Sequence, residues 1–173
     1  MENQATASTL PPTAELFVKM ALSSWDTQYA RVNKLFETLT DEQLLTETAP
    51  GRNRGIYLLG HLTAVHDGML PLLGLGEKLH PQLDPFFIRT PDKTKPDLPV
   101  AELKGYWKEV NAKLSTAMNQ LPAADWFMKH TAVSEEDFAK EPHRNRLNVL
   151  INRTNHMSYH LGQLIYLDKK QEA

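Results

Sequence analysis

Apolar residues recur at helical rather than alternating spacing along most of the chain, and four such stretches stand out. The first runs from Thr13 to Leu39, with Leu16, Met20, Val32, Leu35, Phe36 and Leu39 in line and Trp25 and Tyr29 bridging its middle. The second runs from about Asn53 to Leu73 through Ile56, Leu59, Val65, Met69 and Leu72, and Pro71 predicts a kinked or thinned last turn. The third spans Val100 to Leu121 through Leu103, Trp107, Val110, Leu114 and Met118. The fourth spans about His143 to Lys169 on Leu147, Leu150, Leu161, Leu164 and Leu167, with Asn152, His156, His160 and Gln163 forming a polar stripe beside that line.

Punctuation between these stretches is equally legible. Thr40-Asp41-Glu42-Gln43 has the form of a capping box that opens a short helix over Leu44 and Leu45, and Pro50-Gly51 ends it. Gly74 to Pro99 and Pro122 to Pro142 lack periodicity and read as long irregular connections, the second with one capped turn at Ser134-Glu135-Glu136-Asp137. No segment alternates like a β-strand. The pattern predicts an all-α four-helix bundle with two long connections: a loose tail over residues 1–12 and a single domain over 13–173.

Bulk composition narrows the function classes. With 173 residues, 41% apolar and 23% charged, the chain can bury a real core. The formal net charge is −2 and no basic block stands out, which argues against nucleic acid as a partner. There is no cysteine, so disulfides, thiolate metal ligands and a cysteine nucleophile are excluded. Met1 to Ala14 has no Lys or Arg and no apolar h-region, and Ile56 to Leu75, the longest apolar stretch, is interrupted by histidines and Asp67. A cytoplasmic protein without membrane association is expected.

The segment Asn155-His156-Met157-Ser158-Tyr159-His160-Leu161-Gly162-Gln163-Leu164 carries the candidate chemistry. On a helix, residues four apart lie about 40° apart around the axis and ~6 Å along it, so His156 and His160 can grip one divalent metal. A third ligand must come from elsewhere. His61 and His66 share the second helix but point about 140° apart, so only one of them can face the pair. Gly60, a helical glycine that signals a crowded site, favours His61, with His66 as the alternative.

Leu59-Gly60-His61-Leu62, together with His156, His160, Gly162 and Gln163, resembles the DinB-like metal-binding four-helix bundles. That superfamily includes thiol-dependent maleylpyruvate isomerases and thiol S-transferases. The resemblance covers nearly all of the chain beyond the tail. It implies His61, His156 and His160 as metal ligands with further positions open to water or substrate, and it implies a homodimer. Members commonly carry His-His before x-Gly-Gln, whereas Tyr159 stands at the first of those two positions here. The departure spares the three ligands and removes any proton-transfer role for a histidine at that position.

Three neutral imidazoles leave a divalent ion its full charge, and all-imidazole sites suit zinc or nickel. A facial-triad iron site would need a carboxylate in place of one histidine. The expected function is therefore metal-dependent: a thiol S-transferase or related hydrolase acting on a small electrophile, with a low-molecular-weight thiol as candidate co-substrate. The alternative is a non-catalytic, stress-response metal-binding module that dimerises, which a closed site with a fourth ligand such as His66 or Glu77 would favour. A plain structural bundle is the third reading. Gln163, Asn152 and Tyr159 are candidates to support the ligands from behind. Arg52-Asn53-Arg54 and Arg144-Asn145-Arg146 are candidate anion sites at helix starts, though solvated charge is the commoner explanation of such triplets.

Overall fold

Four long helices make the architecture: α1 (Pro12–Thr38), α3 (Gly55–Asp67), α6 (Val100–Gln120) and α8 (Arg146–Leu164). Shorter helices α2 (Asp41–Leu44), α4 (Met69–Leu72), α5 (Asp84–Phe87) and α7 (Glu135–Lys140) lie in the connections. The structure is a computed structural model and describes residues 10–168. The tail expected over residues 1–12 therefore falls outside the described residues as far as position 9, as does Lys169. The chain is all-α, a helical bundle in which α1 packs chiefly on α8 and α3 on α6, with α3 also touching α8.

Local sequence explains where the helices begin and end. Pro12 opens α1, where the missing N–H costs nothing. Thr40 and Gln43 form the expected capping box at α2, and Ser134 Oγ accepts from Asp137 N (3.0 Å) at α7. The fourth helix starts at Arg146 rather than His143, because Asn145 takes the capping position and accepts from Asn148 N at 2.9 Å. It ends at Leu164 and tightens into a 3-10 turn over Ile165–Leu167. The second expected helix is divided at Gly68 into α3 and α4. Pro71 has no N–H to offer the carbonyl four residues back, at Asp67, where α3 ends.

The core is continuous across the bundle and includes Trp25, Val32, Phe36, Leu59, Leu62, Leu103, Trp107, Leu114, Leu150 and Leu164. One stripe differs from expectation. Val18, Trp25, Val32 and Leu39 are buried at steps of seven residues, whereas Leu16 and Met20 are about 60% exposed. Both lie two residues from Val18, about 160° around the helix, so they face away from the core.

The first long connection is more ordered than its composition predicts. A 3-10 turn (Pro81–Leu83) runs into α5, and the chain beyond is tied back to α3. Arg54 pairs with both Asp92 (2.7 Å) and Asp97 (2.7 Å), and Tyr57 Oη donates to Thr90 O at 2.9 Å. This strap holds α5 against the middle of α3. Among the described residues, no helix is long and apolar enough to cross a membrane.

Candidate metal centre

Helices α3 and α8 bring His61, His156 and His160 together, one ring nitrogen from each lying within 4.8 Å of the others. His61 Nε2 is 3.2 Å from His156 Nε2, and His160 Nε2 is 3.1 Å from the same atom. Hydrogen bonds on the far sides of two rings determine what these atoms can be. His61 Nδ1 is 2.8 Å from the carbonyl oxygen of Phe87, which can only accept, so Nδ1 carries the proton. His160 Nδ1 is 2.7 Å from Gln163 Oε1 and in this amide orientation donates to it, while Gln163 Nε2 donates to Tyr159 Oη at 3.2 Å. In the neutral rings, both Nε2 atoms therefore present lone pairs toward the third histidine.

Neutrality is what the surroundings impose. Burial pushes the pKa of His61, His156 and His160 below the ordinary histidine value, to about 4 for His156, where the neighbouring rings and Arg153 add to the effect. A single His156 Nε2–H could satisfy only one of two facing lone pairs. Its Nδ1 is buried and has no partner among the described residues. Three converging lone-pair donors fit a divalent cation. Metal–nitrogen bonds of about 2.0–2.1 Å put adjacent ligand nitrogens about 2.8–3.4 Å apart, from octahedral to tetrahedral geometry. Bonds from Phe87 and Gln163 to the outer nitrogens are the supports that metal-binding imidazoles ordinarily have.

Gly60 explains how His61 reaches this position. A Cβ at Gly60 would lie 2.4 Å from the Phe87 ring, so the absence of a side chain lets α5 close onto α3. That approach delivers the Phe87 carbonyl to His61. Tyr57 stacks nearly parallel to the His61 ring at 6.1 Å and bonds the strap behind it.

The other expected participants differ in their relation to the three histidines. Asn152 is exposed and its hydrogen bond goes to Asn148 Oδ1 (3.3 Å), not to a triad histidine. Tyr159 is exposed and touches His160 edge-on at 5.1 Å. His66, the alternative third ligand, does not face the pair. It is fully buried between Trp25 (4.7 Å) and Trp107 (5.0 Å), and its Nδ1–H donates to Asn111 Oδ1 at 2.8 Å. Glu77 is exposed and, like His66, lies outside the cluster, which gains no fourth His, Cys, Asp or Glu ligand among the described residues.

The two arginine triplets are largely absorbed by the protein itself. Arg54 is paired with Asp92 and Asp97, Arg144 with Glu141, and Arg146 donates to Asp125 O. Two features of the site escaped the sequence. The Phe87 carbonyl is backbone and leaves no residue signature beyond Gly60. Arg153 lies three residues before His156 and seven before His160, a spacing that places it on their face.

Curated proteins show no match to this chain. The family model of the DinB superfamily matches residues 24–164, which contain all three histidines and the helices that hold them. The chain belongs to the DinB superfamily.

Proposed function

We propose that the protein binds one divalent metal, zinc or nickel, through His61, His156 and His160, and acts as a thiol S-transferase or related hydrolase on a small electrophile. The observation that carries this reading is the convergence of three neutral imidazole nitrogens with no fourth protein ligand among the described residues. A closed structural site would have four. A divalent ion there supplies Lewis-acid chemistry, lowering the pKa of a thiol or water that meets it.

The residues of the chain do the rest. His61 is held by Phe87 and His160 by Gln163, so two of the three donors are oriented before any ligand arrives. His61 and His156 are half-buried rather than enclosed in the core. The chain has no cysteine, so a sulfur nucleophile enters as a co-substrate. Its thiol proton passes to solvent, and the carbon–sulfur bond forms as the leaving group departs with its bonding electrons. A cytoplasmic setting, where low-molecular-weight thiols stay reduced, suits this reading.

A second reading is a non-catalytic, stress-response metal module working as a homodimer. Its dimer component is favoured by Leu16, Phe17 and Met20, which are exposed on α1. Pairing of two copies is compatible with either reading.

The deciding experiment is metal content by elemental mass spectrometry on tag-free protein, wild type beside His160→Ala. About one zinc or nickel per chain, lost in the variant, is the expected result. A wild type that takes up neither metal after incubation with both would overturn the metal-dependent reading.

A further inference from the structure

Four arginines are partly buried: Arg54, Arg144, Arg146 and Arg153. The first three have partners within the fold, as described above. The guanidinium of Arg153 makes no hydrogen bond or ion pair with any described residue. A guanidinium has five N–H donors and never gives up its charge, and at Arg153 no described residue takes these donors up, so they stay open to water or to an incoming anion. Burial alone shifts its pKa, and downward, with no carboxylate offsetting it.

Its location gives this unpaired cation a use. Arg153 lies about 60° from His156 and 20° from His160 around α8, on the face that bears the triad, and about 4.5 Å along the axis from His156. Its charge is felt by His61 on the other helix as well as by His156. A planar fork on the face of His156, its charge reaching His61, suits a ligand that ends in a carboxylate.

Resting on the metal-site reading above, we propose that Arg153 binds the carboxylate of a small substrate or thiol co-substrate whose reactive atom faces His61, His156 and His160. The site thereby selects anionic over neutral small molecules. Arg153 is a binding and specificity residue, separate from the three that hold the metal.

Two measurements test this, and the first needs no metal. Succinate is titrated into the metal-free protein while the Arg153 Nε–Hε resonance is followed by NMR, with calorimetry on wild type, Arg153→Met and Arg153→Lys. The expected result is a saturable shift of that resonance, succinate binding lost in Arg153→Met, and partial binding kept in Arg153→Lys. A resonance unmoved by succinate, or unchanged affinity in Arg153→Met, overturns the proposal.

In the second measurement, cobalt-loaded protein is titrated with 3-mercaptopropionate and with 3-mercapto-1-propanol, read by the sulfur-to-cobalt absorption. A preference of about tenfold for the carboxylate thiol, absent in Arg153→Met with the neutral thiol unaffected, places the carboxylate on the thiol. Succinate binding alongside the neutral thiol places it on the electrophile instead. Equal affinity for the two thiols, with no succinate binding, overturns the proposal. A wild type that binds no cobalt sinks the metal reading, and the succinate arm then decides Arg153 by itself.

Discussion

His61 and His66 are the same side chain, five residues apart on one helix, and the fold gives them opposite surroundings. His61 is half-buried, with its Nε2 aimed at two other imidazoles and its Nδ1 held by a backbone carbonyl. His66 is fully buried between two tryptophans, its Nδ1 on Asn111 and its Nε2 without a partner among the described residues. Both rings are kept neutral by burial, yet only His61 meets other donors. Neutrality alone therefore does not make a candidate metal ligand. Convergence does, and it is supplied by α8 and α5 rather than by α3 itself.

If His66 belongs to the core alone, His66→Ala should cost stability and leave metal content unchanged. It leaves a cavity between Trp25 and Trp107 and strips Asn111 Oδ1 of its donor, a loss of about 3 kcal/mol. For a chain of this size that lowers the melting temperature by roughly 6–12 °C. Loss of metal from His66→Ala, with the melt still cooperative, would break the comparison.

Gly60→Ala acts on the other side of it. The new methyl meets the Phe87 ring, and forcing the pair apart costs about 2 kcal/mol. Because Phe87 O moves with the ring, weaker metal binding should accompany the lower melting temperature, measured on the same samples. A variant that is destabilised yet binds metal at full strength would show that the Phe87 carbonyl does not orient His61.

Acid sharpens the contrast in the metal-free protein. An unfolded histidine titrates near 6.5, while folded His66 is pushed down to about 3. Above 6.5 both states hold a neutral ring and stability does not depend on this group. Below 6.5 the unfolded chain takes up a proton that the folded chain refuses. Stability then falls by about 1.4 kcal/mol per pH unit until about pH 3. Denaturant unfolding at pH 7 and pH 5 should show wild type losing about 2 kcal/mol more than His66→Gln over that interval. Equal losses would mean that His66 charges freely.

The smallest effect belongs to Gln163. Removing the acceptor on His160 Nδ1 by Gln163→Ala should weaken metal affinity about tenfold, at the lower end for such supports, with little change in stability. Competition against a chromophoric chelator reads this directly, and unchanged affinity would show that His160 needs no support.

The capping box at Thr40 and the capped turn at Ser134 were legible because their bonds span only three residues. The core lines of α6 were legible because Leu103, Trp107, Val110, Leu114 and Met118 repeat without a competing stripe. On α1 two apolar stripes compete. Nothing local says that Val18 is buried while Leu16 and Met20 are not, since the answer depends on where α8 lies. The apparent disorder of Gly74 to Pro99 hid α5, whose placement rests on Gly60 and on the pairing of Arg54 with Asp92 and Asp97 far along the chain.

Composition and the 3.6-residue period alone were enough for the four long amphipathic stretches, the absence of any thiol, and the shared face of His156 and His160. The choice of His61 over His66 was already favoured by Gly60, but its physical cause is tertiary. Phe87 fills the space above Gly60 and presents its carbonyl to His61, while Asn111 and two tryptophans close around His66. Helical spacing says which residues share a face; only packing decides what that face meets.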